Sequence, residues 1–480
     1  LTSSNKEIKE KQKSLLKQKT FLESLTSRYR IVTILIAGFA LLIALGSLLL
    51  WLPISVQRPG ESYLTHLFVA TSAVCVTGLS PVTVADTYTM FGRTVLLVLM
   101  QVGGLGLMTF VALVLNMGQR KASFRELRAL ADAAGKHGYD DIGGYLKRIV
   151  LYTIGFEFLG FLLLGIRFAS EFDPAEGLFH ALFVSVAAFT NAGFDSFSSE
   201  SLAGYATDPL VSLTVMMLII VGGLGFMVWI ELRNHMRNMR ERHLPLRCLF
   251  SSFSVHTKVV STATLFLLLV GMILFLLTEW TNPNTIGEFG LGDKLLVSAF
   301  QSTTLRTAGF STVSIAALNR VTRLYMCLFM LIGGSPGGTA GGMKTTTFIA
   351  IVMMLRSGLR DEAGNCHLFH RRISRSDFVK AEMILTGYLA FILIGVSILL
   401  MTEPGIEALN IVYEAVSALA TVGLSANVTP ILSSVGRVVI IVMMFAGRVG
   451  PLAVIEAFQR KSIAPIHEHV RYPDADILIG

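Results

Sequence analysis

Four glycines define the chemistry open to this chain. Gly78 lies in CVTGLS, Gly193 in TNAGFD, Gly309 in RTAGFS and Gly423 in ATVGLS, at successive spacings of 115, 116 and 114 residues. Each tetrad follows an apolar stretch too short to cross a membrane, and four copies in one register imply four equivalent units. A short helix that stops inside a membrane leaves carbonyls unpaired at its C-terminal end, which is tolerated only where protein or a water-filled cavity surrounds them. The negative end of the helix dipole points the same way. Four such ends on one axis make a ring of hard oxygen ligands for a dehydrated alkali cation. Glycine lets the turn adopt a conformation denied to residues with a Cβ, so that successive carbonyls can face inward. The candidate filter residues are therefore Val76, Thr77 and Gly78; Asn191, Ala192 and Gly193; Thr307, Ala308 and Gly309; and Thr421, Val422 and Gly423. Tight helix packing through small residues is the competing reading, and it suits one tetrad better than four in register.

The elements that must position these turns are apolar. Of 480 residues, 53% are hydrophobic and 15% charged, against about a quarter charged in ordinary soluble domains, so an integral membrane protein is expected. The net charge of +8 sits between the apolar runs without interleaved aromatics, which argues for a membrane-facing distribution and against nucleic acid. Cys75, Cys248, Cys327 and Cys366 show no CxxC spacing, so neither a zinc site nor a disulfide framework is indicated. The opening KEIKEKQKSLLKQK does not resemble a signal peptide, and the first apolar run is too long for the core of one.

Hydropathy divides the chain into a basic tail (1–30) and four units: 31–120, 121–240, 241–360 and 361–480, the last with a C-terminal tail. Expected spans are Ile31–Leu52 and Thr94–Met117, Ile149–Ile166 and Leu210–Ile230, Val259–Leu277 and Val321–Met354, and Phe378–Met401 and Val435–Ala457. Re-entrant half-helices are expected over 64–76, Pro174–Thr190, Leu291–Leu305 and Pro404–Ala420. The fold class is thus an all-α membrane protein of eight spans and four half-helices around one pore. Segments 118–148, 231–258 and 356–376 are rich in Arg and Lys, whereas 53–63 and 278–293 are not, which places both termini in the cytoplasm.

Two interruptions stand out. GGSPGGTAGG breaks the third return span, although each glycine costs a helix about 1 kcal/mol and the proline about 3, so its backbone is expected to line a cavity. A phosphate-binding loop is disfavoured because Met343, not glycine, precedes Lys344. FAGRVGP puts Arg448 at membrane depth, at about 2.5–3.5 kcal/mol unless it faces a pore or partner. Arg448 is expected to project under the filter as an electrostatic and steric barrier, with an interhelical ion pair as the alternative. Smaller expectations attach to Asp195, which could concentrate cations at the outer mouth, and to Arg306, which should point behind its loop and brace it. Glu157 lies inside a span, where a structural pairing is favoured, and His180 and His256 lack metal-ligand spacing.

These residues resemble the Trk/Ktr/HKT superfamily of potassium transporters over nearly the whole chain. The terminal RYPDADILIG and the lack of an extra N-terminal pair of spans look most like the pore subunit of its Ktr branch. The resemblance implies potassium as the transported ion, since members with glycine in all four loops favour it and serine in the first loop goes with sodium permeation. It implies an intramembrane gating loop made of Gly333, Gly334, Ser335, Pro336, Gly337, Gly338, Thr339, Ala340, Gly341 and Gly342, with Lys344 at its cytoplasmic end. It also implies a homodimer in a bacterial plasma membrane and a KtrA-like cytoplasmic nucleotide-binding ring as regulatory partner, with no nucleotide on this chain. Sodium as a coupling ion, hence symport, stays open. A second reading is the ion-binding subunit of an ATP-driven potassium pump, which would require a separate catalytic subunit. A third, an intramembrane enzyme, is disfavoured by the absence of HExxH and of paired aspartates on facing spans.

Overall fold

The computed structural model describes residues 33, 36–57, 60–106, 142–197, 201–242, 249–359, 367–369 and 371–451. The expected basic tail (1–30), residues 118–141 of the first basic loop and the C-terminal tail beyond 451 lie outside the described residues.

The first apolar run forms α1 (Ile36–Trp51), followed by the short α2 (Tyr63–Val74) and by α3 (Met90–Leu105). The second stretch gives α4 (Ile142–Phe168), the short α5 (Pro174–Phe189), α6 (Pro209–Gly223) and α7 (Phe226–Arg242). The third gives α8 (Val255–Glu279), the short α9 (Leu291–Thr304), α10 (Arg320–Leu331) and α11 (Thr345–Leu359). The fourth gives α12 (Arg375–Thr402), the short α13 (Ala408–Leu419) and α14 (Ser434–Val449). A two-residue antiparallel pair, His367–Leu368 with Arg371–Arg372, precedes α12. Local sequence starts these helices where it should. Thr89, Asp208 and Ser433 cap α3, α6 and α14 by accepting the backbone N–H groups of the first turn, and proline opens α5 and α6 where no amide donor is needed.

The four short helices are the inside of the molecule. Val69, Ala70, Ala73 and Val74 of α2, Ala181 to Val184 apart from the half-exposed Leu182 in α5, Val297 and Phe300 of α9, and Ala415 and Ala418 of α13 are buried. The long helices instead turn large apolar side chains outward: Ile154, Phe158 and Ile166 on α4, Leu265, Phe266 and Leu277 on α8, Leu393 and Met401 on α12. A contiguous apolar exterior of this kind suits lipid rather than water.

The packing closes on itself. Each helix that follows a glycine turn leans on the short helix of the next stretch: α3 on α5, α6 on α9, α10 on α13, and α14 back on α2.

By length and apolarity alone α4, α8 and α12 can cross a membrane, and the pair α6–α7 makes a fourth if its two parts are one span. The expected unbroken span Leu210–Ile230 is corrected here: the chain turns by 93° between α6 and α7. The turn is made at Gly225, whose φ of +91° suits glycine, and it is fixed by Phe226 N donating to Gly337 O at 3.1 Å. Beyond it α7 is rich in arginine. The expected span Val321–Met354 is broken where the sequence analysis places the break, into α10 and α11 with Gly333–Gly342 between them.

Candidate functional site

The four short helices end in the same turn. Residues two before each glycine sit in the left-handed region, with φ of 56° at Val76, 61° at Asn191, 65° at Thr307 and 52° at Thr421. Three of these are β-branched, for which this backbone is a true outlier costing about 1–3 kcal/mol each. Strain repeated four times at equivalent places marks a shape that something other than folding requires. The turns then pass through Gly78, Gly193, Gly309 and Gly423, all at positive φ.

These turns meet. A Cβ built on Gly78 would lie 2.7 Å from Ala192 O, one on Gly193 2.6 Å from Ala308 O, and one on Gly309 2.8 Å from Val422 O. One on Gly423 would press on Thr77 O, which closes the circuit in chain order. The structure therefore gathers Thr77, Ala192, Ala308 and Val422 carbonyls with the four glycines into one ring. It leaves no room for a side chain at any of the four.

On one side of the ring lies a cavity of about 500 Å³, lined by all four glycines and by residues that follow them, among them Asp195, Ser311 and Ser425. Asp195 lines this cavity, and Asp86 joins it there without any signal in the sequence. The segments after each turn are held by one buried polar side chain from each short helix. His66 Nδ1 meets Tyr88 OH at 3.0 Å and His180 Nδ1 meets Ser196 Oγ at 2.7 Å. Gln301 Nε2 donates to Ser311 Oγ at 3.1 Å, and the Glu414 carboxylate accepts from Ser425 and Thr429.

On the other side, against the residues that precede the glycines, lies the loop Gly333–Gly342. Its ends are zipped together by Gly333 N to Met343 O at 2.8 Å and Met343 N to Leu331 O at 3.1 Å. Its tip is tied to the α6–α7 bend, with Ser335 N donating to Gly223 O at 2.9 Å and Thr339 N to Gly222 O at 3.1 Å. Gly341 N donates to Thr307 Oγ1 at 3.1 Å, and Gly341 also packs on Thr421. Arg448 Nη1 donates to Thr339 O at 2.8 Å while its Nη2 reaches Gly103 O, so the one arginine clamps this loop to the end of α3. Lys344 Nζ turns back to Ala340 O at 2.7 Å. Gly333 to Gly337 also spells the G-x-S-x-G of a hydrolase nucleophile turn, but Ser335 is fully buried and its hydroxyl meets that of Thr345 at 3.2 Å.

Arg306 is buried and points away from the ring, donating through Nη1 to Ile332 O at 2.9 Å, which is the bracing role expected of it. Glu157 is buried in α4, where its carboxylate accepts from Gln101 Nε2 at 3.2 Å and its carbonyl from Ser185 Oγ at 2.6 Å, a tie between helices.

The sequence matches the family model for the cation transport protein TrkH over residues 8–464. The chain belongs to the TrkH family. It is 36% identical over 447 residues to the Ktr system potassium uptake protein B of Bacillus subtilis (strain 168), covering 93% of this chain and 96% of that one. The Ktr system potassium uptake protein B of Vibrio alginolyticus is also 36% identical over 447 residues, covering 93% of this chain and 94% of its own. The potassium/sodium uptake protein NtpJ of Enterococcus hirae is 32% identical over 456 residues, 94% of this chain and 97% of its own. Among solved structures, the potassium transporter TrkH from Vibrio parahaemolyticus superposes with a TM-score of 0.65 over 89% of this chain and 84% of that one, at 18% identity, and so shares the fold. The TrkH family is one of cation transport proteins rather than enzymes.

The lower break recurs in all four return helices: VGGLG at 102–106 and again at 221–225, IGGSPGG at 332–338, and AGRVG at 446–450. Cβ atoms on Gly103, Gly222 and Gly447 would strike the carbonyls of Val74, Phe189 and Leu419, the last residues of α2, α5 and α13. Glycine there lets each return helix touch the end of its own short helix. Arg448 occupies the register held elsewhere by Gly104, Gly223 and Gly334. The repeated VGGLG was the available signal; it reads as ordinary membrane-helix glycine because glycine is frequent there.

Proposed function

We propose that this chain is the pore-forming, ion-translocating subunit of a Ktr-type potassium uptake system in the bacterial plasma membrane. The closed circuit of glycine-to-carbonyl contacts carries the reading. The chain is then four span–pore helix–span units over 31–120, 121–240, 241–360 and 361–480, with eight transmembrane helices and four re-entrant half-helices around one pore. The short helices aim the negative ends of their dipoles at the ring. A potassium ion enters from the vestibule beside Asp86 and Asp195, exchanges water for carbonyls of residues 76–78, 191–193, 307–309 and 421–423, and meets the loop Gly333–Gly342 as a gate. Arg448 and Lys344 hold that gate shut across the pathway by bonding its backbone, and their charge repels a cation trying to pass. Loop displacement, rather than chemistry, is the controlled step. The sequence similarity to Ktr system proteins of two bacteria supports the potassium assignment. Assembly as a homodimer with a cytoplasmic nucleotide-binding ring, and sodium as a second cation, extend it. The name of the Enterococcus hirae relative, a potassium/sodium uptake protein, motivates the sodium arm of the test.

The test is uptake of potassium and of sodium by cells lacking their own uptake systems, with and without external sodium, comparing the native chain with Gly78→Ser. The native chain should restore growth at low potassium. In Gly78→Ser the new Cβ meets Ala192 O, so the ring must widen and sodium should gain on potassium at least fivefold. An unaltered ratio would remove the first turn from the filter.

A further inference from the structure

The four turns share one backbone but are not held by the same partners. In the first and fourth, the short helix holds its own turn: Ser72 accepts through O from Thr77 N at 2.8 Å and through Oγ from Gly78 N at 3.0 Å, and Ser417 does the same for Val422 N at 2.8 Å and Gly423 N at 3.1 Å. The second and third lack the hydroxyl half of that device. Ala187 stands in the serine register of the second and gives only the backbone bond, accepting from Ala192 N at 2.7 Å. In the third, Thr303 spends its hydroxyl on Ala299 O at 2.8 Å, and Thr304 ties the turn instead, accepting from Ala308 N at 3.0 Å and donating through Oγ1 to Phe310 O at 2.5 Å, so that the glycine amide gains no hydroxyl partner there.

The loop Gly333–Gly342 adds side-chain ties to these two turns. Thr339 shares its hydroxyl hydrogen between Phe189 O and Asn191 Oδ1, both at 3.0 Å, and Asn191 Nδ2 passes the tie on to Arg306 O of the third turn at 3.2 Å. Gly341 N holds Thr307 Oγ1, and Arg306 is anchored to Ile332 O where the loop begins. Thr339 is the junction. Its hydroxyl serves the filter side, while its N and O are taken by Gly222 and Arg448 on the other side.

We infer that the loop Gly333–Gly342 is a structural member of the filter as well as a plug beneath it, and that Thr339, through Asn191, is the positioning residue that keeps the second and third turns in ion-selective shape. The inference rests on the reading of the four turns as a potassium filter. Its consequence is that moving the loop aside loosens half of the ring, so that passage and discrimination are coupled. The first and fourth turns, whose glycine amides are held by Ser72 and Ser417, keep the ring assembled while the other two relax.

The experiment uses the full chain in cells lacking other uptake systems and, purified, in liposomes, with potassium and sodium as probes and their uptake ratio as readout. Thr339→Val removes the hydroxyl at constant shape and should lower the potassium-over-sodium ratio at least fivefold, while Thr339→Ser restores it to within twofold. Asn191→Gly keeps the left-handed turn without strain and removes the tie from the other end; it should lower the ratio equally. The double variant should be no worse than either single one. If Thr339→Val raises flux at an unchanged ratio, or if the two effects multiply, the loop is a plug only and the inference is overturned. Should Thr339→Val fail to reach the membrane, Asn191→Gly alone decides, and a native ratio in it overturns the inference. A native chain that takes up neither ion would instead sink the filter reading itself.

Discussion

At the level of the glycine turns the four stretches share one backbone: left-handed Val76, Asn191, Thr307 and Thr421, then a glycine whose missing Cβ leaves space for the next turn's carbonyl. One helix later they part company. Gly106 ends α3, Gly225 bends the second return helix by 93°, the third opens into Gly333–Gly342, and the fourth carries Arg448 in a glycine register. The difference follows from what each level has to do. A bare cation is a sphere and is best met equally from every side, which favours a symmetric ring of backbone. Control of passage needs one element that can move while the rest hold, and that cannot be fourfold. On the proposed function, a symmetric ring and an asymmetric layer beneath it would divide recognition of the ion from its release.

The largest effect should come from breaking the symmetric level. Gly309→Ala puts a methyl 2.8 Å from Val422 O and 3.0 Å from Gly193 Cα at a φ of +80°. Potassium uptake should fall at least about 100-fold, or about 2.7 kcal/mol of barrier. Gly60→Ala is the matching control, since Gly60 has a φ of +137° but nothing within 4 Å of the new Cβ, and uptake there should stay within about twofold. Equal losses at both sites would mean that backbone strain, not the meeting of the turns, is what the ring requires.

Restoring symmetry at the lower level should act in the opposite direction. Arg448→Gly gives the fourth unit the residue the other three have, and it releases Thr339 O and Gly103 O. Uptake should rise about tenfold, equivalent to about 1.4 kcal/mol. Arg448→Lys should fall between, because an ammonium cannot span two carbonyls with the geometry of a guanidinium. Unchanged flux in Arg448→Gly would take Arg448 out of the barrier and leave it as a helix tie.

How much of this could be read beforehand also divides by level. The short helices came out within a few residues of expectation, Tyr63–Val74 against 64–76 and Pro174–Phe189 against Pro174–Thr190, because length and apolarity define them. The glycine turns were legible because their chemistry is local and repeats. Interrupted return helices were legible only where the offence was gross, at Pro336 and Arg448. The bend at Gly225 is not announced by VGGLG because glycine is frequent in membrane helices and each costs a helix only about 1 kcal/mol, which neighbours in a membrane protein routinely offset. The tie from Thr339 to Asn191 spans 148 positions and depends on how two units pack, so no pattern along the chain announces it. Asp86 is hidden for the same reason: a four-residue helix, Val84–Thr87, brings it to the vestibule.

Serine braces make a finer probe of the symmetric level. Ser72→Ala or Ser417→Ala deletes one neutral hydrogen bond to a filter amide, worth about 0.5–1.5 kcal/mol. The potassium-over-sodium ratio should drop about two- to tenfold in each. Because those two turns are tied to their own helices, the loss should multiply with that of Asn191→Gly. A double variant no worse than its parents would mean that all four turns share one support.

The smallest effect concerns the vestibule, where the asymmetry is one of charge. Asp86 and Asp195 come from the first two units, while the third and fourth contribute Ser311, Ser314, Ser425 and Asn427 to the same lining. Neither carboxylate is part of the ring, so neither should alter which ion is chosen. Their field can raise the local cation concentration, an effect that salt screens over about 8 Å at 0.15 M and about 3 Å at 1 M. Asp195→Asn should therefore raise the half-saturating potassium concentration about twofold in low-salt medium, with maximal uptake unchanged, and Asp86→Asn should do the same. The shift should vanish when an impermeant salt is added to about 1 M. A shift that survives high salt, or one that lowers maximal uptake, would mean that the carboxylate touches the ion directly, and the boundary of the filter would then have to be moved outward to include it.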